Sequence, residues 1–257
     1  MKHNILLAFS FAKRDFKERY VGTGLGQFWY ILSPLVMIFI YTVIFSDFMK
    51  MKMNIIDNTY AYSIYLIPGL LAWTSFSTIV MRLNTSFFEK AGLIKKINVP
   101  MYTFQISIIL TELFTFTIAM IMGIIFLLLV HQPVTLTFLW LIPIMLIQTF
   151  FAFGLGVLFS LFTPFFKDMK EIIPIIVQLW FWMTPIIYVK SMIEHKYPML
   201  LIYNPFYYFA EIYQNIFLHS LAPSLSSLII IVTETIVSVL IAGYLYKKMV
   251  PTIKDII

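Results

Sequence analysis

Residues 102–130 read YTFQISIILTELFTFTIAMIMGIIFLLLV, and Glu112 is the only Asp, Glu, Lys, Arg or His in the run. The hydrocarbon core of a bilayer is about 30 Å thick and an α-helix rises about 1.5 Å per residue, so about 20 apolar residues cross it. A continuous apolar run of this length reads as a membrane span and not as one face of a soluble helix. Working outward, comparable runs lie at Phe28–Phe48, Ala61–Thr85, Thr137–Phe162, Ile172–Val189 and Leu225–Tyr246. The expected fold is an all-α integral membrane protein with six transmembrane helices.

Composition agrees with that expectation. Hydrophobic residues make up 61% of the 257 and charged ones only 12%, about half the charge of a soluble domain. The net charge of +6 is dispersed over several loops, which excludes a basic domain with a nucleic-acid face. Cysteine is absent, so disulfides and thiolate metal sites are excluded. The apolar start from Ile5 to Phe11 runs straight into Lys13, Arg14, Asp15 and Lys17 without a small-residue cleavage pattern, so the mature chain is expected to begin at Met1.

One domain is expected over 1–257. Residues 1–26 form an interfacial helix and turn, in which Ile5, Phe9, Ala12, Phe16 and Tyr20 recur at helical spacing. Such a helix suits the headgroup plane, with Arg14, Lys17, Arg19 and Tyr20 as its interfacial residues. Gly22, Gly24 and Gly26 end it in a bend. Residues 27–189 hold spans one to five, and 223–257 hold span six and a tail. Thirteen Lys and Arg fall in the N-terminal segment, the loops after spans two and four, and the tail, against four (Lys50, Lys52, Lys190 and Lys196) on the other side. The positive-inside rule puts both termini in the cytoplasm. Residues 190–222 are apolar but broken by Pro198, Pro205, Glu211 and His219. A seventh span there would move Lys247, Lys248 and Lys254 outside, so short external re-entrant helices fit better.

Catalytic patterns are missing from the sequence. The phosphate loop G-x-x-x-x-G-K-[ST] does not occur, and the glycines at 22–26 lack its lysine. His3, His131, His195 and His219 are too scattered for metal-ligand spacing, so neither a metal nor another cofactor is expected. Glu112 and Glu234 lie inside spans, where an unpaired charge costs several kcal/mol. Each is either functional or a hydrogen-bonded carboxyl that fixes helix packing.

A set of motifs carries more. RYVGTGLGQFW from Arg19 to Trp29, SPL at 33–35, YLIPGL at 65–70 with Trp73, LIKKINVP at 93–100, FKD at 166–168, QLWFWMTPIIY at 178–188 and Asn204-Pro205 follow one another in order. This series resembles the permease subunits of type-2 ABC exporters for polysaccharides and polyol phosphates, which move O-antigen, capsule and teichoic-acid polymers. Gln214 departs from the arginine often found nearby in such permeases. The resemblance implies a homodimer in the bacterial inner membrane, paired with two copies of a separate ATPase that binds ATP and Mg. It implies an O-antigen-type lipid-linked polysaccharide as cargo and no catalysis by this chain. The loop Glu89–Pro100, with Gly92, Leu93, Lys95, Lys96 and Asn98, looks like the element that docks into the ATPase, joined by Lys167 and Asp168.

A sugar polymer needs a polar or aromatic-lined conduit, because hydroxyls lose water only at a cost. Trp29, Tyr41, Phe45 and Phe48 on span one, and Gln178, Trp182 and Tyr188 on span five, are the candidate path residues. Asn204, Pro205 and Tyr207 belong to a candidate external gate. The competing readings are a proton-coupled carrier using Glu112 or Glu234, a membrane-embedded sugar- or lipid-modifying enzyme, and a drug permease.

Overall fold

The computed structural model describes residues 2–44, 59–90, 92 and 99–256. Among them, every regular element is helical. The α-helices are α1 (Lys2–Glu18), α2 (Trp29–Thr42), α3 (Ala61–Glu89), α4 (Tyr102–Leu129), α5 (Leu141–Phe162), α6 (Met169–Met183), α7 (Pro198–Ile202), α8 (Pro205–His219) and α9 (Leu225–Ile256). Short 3-10 turns at Gly26–Phe28 and Leu136–Trp140 lead into α2 and α5.

Four segments are long and apolar enough to cross a membrane: Ala61–Glu89, Tyr102–Leu129, Leu136–Phe162 and Leu225–Ile253. These are the expected second, third, fourth and sixth spans. Of the other two, α6 is shorter than expected. α2 has 14 residues and α6 has 15, about 21–23 Å each at the helical rise. α2 ends at Thr42, and the expected outer end of span one lies outside the described residues. α6 stops at Met183 instead of Val189 because Thr184 precedes Pro185 and is extended, with φ −99° and ψ 131°. A proline pushes the residue before it out of the helical region.

α3 is the axis of the bundle. Most of its side chains are buried, and it packs against α4, α5, α6 and α8. α4 runs antiparallel to it, since Leu71 meets Gly123 at one level and Arg82 meets Glu112 at another. Two glycines let α5 enter between α3 and α9. A Cβ at Gly154 would lie 2.8 Å from the Ser238 carbonyl carbon on α9, and one at Gly156 would lie 2.7 Å from Leu83 Cδ1 on α3. Positions two apart on a helix point to nearly opposite sides, so each glycine admits a different neighbour. Small residues at such crossings let backbones approach, which is how helices gain packing where no hydrophobic drive between them exists.

α1 lies along α4 and parallel to it. Asn4 Nδ2 donates to the Tyr102 hydroxyl at 2.8 Å, and Thr111 Oγ1 donates to the Ala12 carbonyl at 3.3 Å. Ala8 and Ala12, one turn apart, form the buried contact face. Phe9 departs from the expected stripe: with Leu6 it is exposed, 56% and 67% respectively, while the rings of Phe11 and Phe16 flank the alanines and meet Phe104 and Phe114 of α4. The bend that follows needs its glycines, since Gly22 and Gly26 have φ of +85° and +52°, a region other residues enter only with strain.

α7 and α8 are separated by Tyr203 and Asn204. The Phe206 ring at the start of α8 packs against Trp73 and Phe76, midway along α3. α8 then runs back toward the end where Gln132 Nε2 donates to the Leu218 carbonyl at 3.1 Å. It is almost wholly buried. α9 is helical ten residues beyond Tyr246 and carries Pro251 inside that extension.

Candidate functional site

At the α1 end of the bundle four charged side chains meet. Glu112 on α4 is only 3% exposed, a position where an unpaired carboxylate would not be tolerated. Its Oε1 accepts from Arg19 Nη2 and from Arg82 Nη1 at 2.5 Å. Arg82 Nη2 in turn donates to both carboxylate oxygens of Asp15 at 2.8 Å. The chain Arg19–Glu112–Arg82–Asp15 is neutral overall and ties the end of α1 and the glycine bend to α3 and α4. Planar guanidinium groups suit this work because each offers several donors in a fixed fork.

Aromatic stacking completes the corner. The Phe16 and Tyr30 rings stack at 4.0 Å, Tyr20 meets Tyr30 edge-on at 4.7 Å, and the Arg19 guanidinium sits 5.7 Å over the Tyr30 ring. Tyr30 donates to the Phe16 carbonyl at 3.1 Å. Of the expected interfacial residues, Arg19 and Tyr20 are thus turned into the bundle. Arg14 and Lys17 stay exposed, Arg14 in a 3.2 Å pair with Glu18. Beside the corner lies a cavity of about 170 Å³ whose lining includes Arg19, Trp29, Ser33, Thr74, Ser75 and Glu112. The buried Ser75 Oγ has no hydrogen-bond partner.

The described ones among the expected docking residues lie at this same end. Glu89 Oε1 accepts from Thr85 Oγ1 at 2.6 Å, and Lys170 Nζ lies 5.7 Å over the Phe88 ring. Asn84 accepts from Thr163 Oγ1 at 2.6 Å and donates to the Met169 carbonyl at 3.3 Å. The end of α3 and the loop before α6 are therefore one surface, on which Gly92, Lys167 and Asp168 are exposed and Pro100 is half-buried. Leu93, Lys95, Lys96 and Asn98 lie outside the described residues.

The path candidates divide. Trp29 lines the cavity, and Tyr41 is half-buried against the core. Gln178 and Trp182, one turn apart, share the exposed face of α6. Tyr188 lies beyond that helix, its hydroxyl donating to the Trp182 carbonyl at 3.0 Å. Phe45 and Phe48 lie outside the described residues. Ser33 and Thr74 are exposed polar positions on α2 and α3 that sequence reading passed over. Glu234 on α9 is half-buried, and its Oε2 has no hydrogen-bond partner, unlike Glu112.

Midway along the bundle, Asn204 is a junction. Its Oδ1 accepts from Trp180 Nε1 at 2.7 Å and from the Phe206 backbone N–H at 3.1 Å, which caps α8. Its Nδ2 donates to Thr184 Oγ1 at 2.9 Å and to the Met183 carbonyl at 3.2 Å. Pro205 takes the first helical position, where its missing N–H costs nothing. The polypeptide beyond α6 is held from α3 and α8. Tyr65 donates to the carbonyls of Pro185 and Tyr188 at 3.1 and 3.0 Å, and Gln214 Nε2 donates to the Pro185 carbonyl at 3.1 Å. Further out, Glu211 Oε1 accepts from Tyr207 at 2.5 Å and from Lys190 Nζ at 3.0 Å. Tyr207 first and Glu211 second hold the Lys190 ammonium above its ordinary value, against the opposing effect of partial burial.

A family described as ABC-2 type transporter matches residues 7–218. An O-antigen export system permease protein RfbA of Klebsiella pneumoniae is 29% identical over 210 residues, covering 80% of this chain and 79% of that protein. A second Klebsiella pneumoniae protein of that name is 30% identical over the same coverage. The protein of that name from Myxococcus xanthus is 26% identical over 244 residues, 94% of this chain and 92% of its own length.

Proposed function

The chain belongs to the ABC-2 type transporter family and is a multi-pass membrane permease, and on that premise we propose that it forms the membrane path of an ATP-driven exporter of lipid-linked polysaccharide. O-antigen-type polymer is the favoured cargo, because three relatives similar over most of their length carry O-antigen export in their names. Capsule and teichoic-acid polymers share the required chemistry.

The observation that carries this reading is the set of exposed polar side chains at span positions. Ser33 and Thr74 border the cavity beside Arg19, and Gln178 would face hydrocarbon if the chain stood alone, where polar groups lose water without replacement. A second copy facing these surfaces would enclose them with Trp182 and Tyr41 into a conduit suited to hydroxyl-rich rings. In this arrangement α2 belongs to span one, and α6 with the residues that follow it to span five. Both termini face the cytoplasm of a bacterium with its inner membrane as the site.

The surface built by the end of α3 and the loop before α6 is then the seat of the ATPase. Two copies of that separate subunit bind the ATP and Mg, consistent with a sequence that has no phosphate loop. Glu112, held by two arginines, fits a structural charge better than a proton carrier, which must release and regain its proton. The gate would be the less buried segment 190–202, because α8 is packed into the core.

Two measurements test the reading together. Affinity purification of the chain from its native membrane should capture an ATPase with a phosphate loop. Deleting the gene should strip polymer from the cell surface and accumulate it in the cytoplasm. Normal surface polymer in the deletion strain would sink the proposal.

A further inference from the structure

A cleft of about 380 Å³ opens at the end of the bundle opposite α1, between the 190–194 turn, α7, α8 and the first turn of α9. Its volume falls within the range of roughly 300–1,000 Å³ typical of small-ligand sites. We propose that this cleft binds one neutral sugar ring, a subsite through which the polymer passes on leaving the conduit. The identity of the occupant as part of a polymer rests on the export reading above.

Charge narrows the ligand first. The lining holds one cation, Lys190, and two carboxylates, Glu194 and Glu211. This balance repels phosphate and carboxylate groups. A simple cation would meet the Lys190 ammonium. A neutral ligand that both donates and accepts hydrogen bonds fits.

The polar groups are arranged for such a ligand. Tyr207 and Lys190 both donate to Glu211 Oε1, which orients the carboxylate. Among the described residues Oε2 has no hydrogen-bond donor and remains an acceptor. Lys190 has three N–H donors, and one serves Glu211. Ser224, Ser226 and Ser227 stand on the facing wall, their hydroxyls 2.8–3.0 Å from one another through Ser224. Ser224 Oγ also accepts from the Ser227 backbone N–H at 3.1 Å. Hydroxyls donate or accept as required, which matches vicinal hydroxyls on a pyranose. Tyr208 lines the cleft as well, its ring 5.0 Å from that of Tyr207. An aromatic wall covers the apolar C–H face that a sugar ring presents beside its hydroxyls. Tyr207 and Tyr208 are anchored by the core, and the Arg19–Glu112 network uses none of these groups.

The test uses the full chain in lipid nanodiscs and saturation-transfer NMR with methyl glycosides of glucose, galactose, mannose and N-acetylglucosamine. Glucose 1-phosphate and choline serve as the anionic and cationic probes. At least one neutral glycoside should receive saturation, and the two charged probes none. Glu211→Gln should weaken binding about tenfold, the loss expected when a charge-assisted hydrogen bond becomes a neutral one. Ser226→Trp, at an exposed position on the rim, should abolish binding by filling the cleft, and it asks nothing of the core. No transfer to any neutral glycoside, or equal transfer in both variants and the unaltered chain, would overturn the site.

Export separates this proposal from the reading beneath it. In a deletion strain, the unaltered chain should restore surface polymer, and Ser226→Trp should not, at equal membrane abundance. Full export by Ser226→Trp refutes the exit subsite and leaves the export function standing. Absence of export by the unaltered chain refutes the export function, and the NMR result then decides the cleft alone.

Discussion

Two of the charged clusters among the described residues are built on opposite terms. At the α1 end, Glu112 is 3% exposed and every member of its network is paired. At the other end, Lys190 is 46% exposed and shares one carboxylate oxygen with Tyr207. The same ionic chemistry therefore does two jobs. Where a carboxylate is shut away from water, as at Glu112, its arginine partners cross-link helices and removing one costs stability. Where water enters, the pair contributes little to stability and its remaining donors and acceptors are free for a ligand.

The largest effect is expected from Arg82→Met. It deprives Asp15 of both its hydrogen bonds and leaves Glu112 on Arg19 alone, at a cost of about 3–5 kcal/mol. The thermal midpoint of the purified chain in detergent should fall accordingly. Adding Asp15→Asn should recover part of the loss, since the carboxylate that Arg82 no longer pairs is then neutral while Glu112 keeps Arg19. A midpoint unchanged by Arg82→Met would show that the network is no cross-link.

Asn204→Ala should come next, at about 1–3 kcal/mol for a junction that leaves Trp180 Nε1 and Thr184 without their partner. Asn204→Asp keeps the acceptor for Trp180 and the α8 cap while losing the two Nδ2 bonds, so its midpoint should lie between. Equal losses for Ala and Asp would place the weight of the junction on Nδ2 alone.

The smallest effect belongs to Lys190→Met, at most about 1 kcal/mol. Because the Lys190 value is raised above 10.5, its contribution is fully present below that pH and is lost only as pH rises through the higher folded value. The difference between this variant and the unaltered chain should thus stay flat from about pH 6 to pH 9. A difference that shrinks across this window would contradict the pairing.

The long spans were legible because hydropathy alone marks a helix that must cross hydrocarbon. The end of α6 was less so, although Pro185 after Thr184 was the available signal. Arg82 and Glu112 stand almost equally far from the middle of the connection between α3 and α4, so an antiparallel hairpin brings them level, and their pairing could have been found. Asp15 and Arg19 had no such arithmetic. Their place depends on how α1 lies along α4, and the alanines that decide this, Ala8 and Ala12, do not stand out in an apolar stripe beside Phe9. The burial of α8 was hidden for a similar reason. Tyr207, Tyr213 and Gln214 look interfacial in sequence, and only packing against α3 makes them interior.

The glycine pair of α5 sets a limit on motion. With Ser238 within bonding reach of a missing Cβ on one side and Leu83 on the other, α5 has no freedom to roll. A roll of one residue, about 100°, would bring the side chain of Phe153 or Leu155 into space sized for hydrogen. Nor can it slide by the rise of a residue without the same collision. α3, α5 and α9 are therefore geared together by two contacts that leave no room for a side chain.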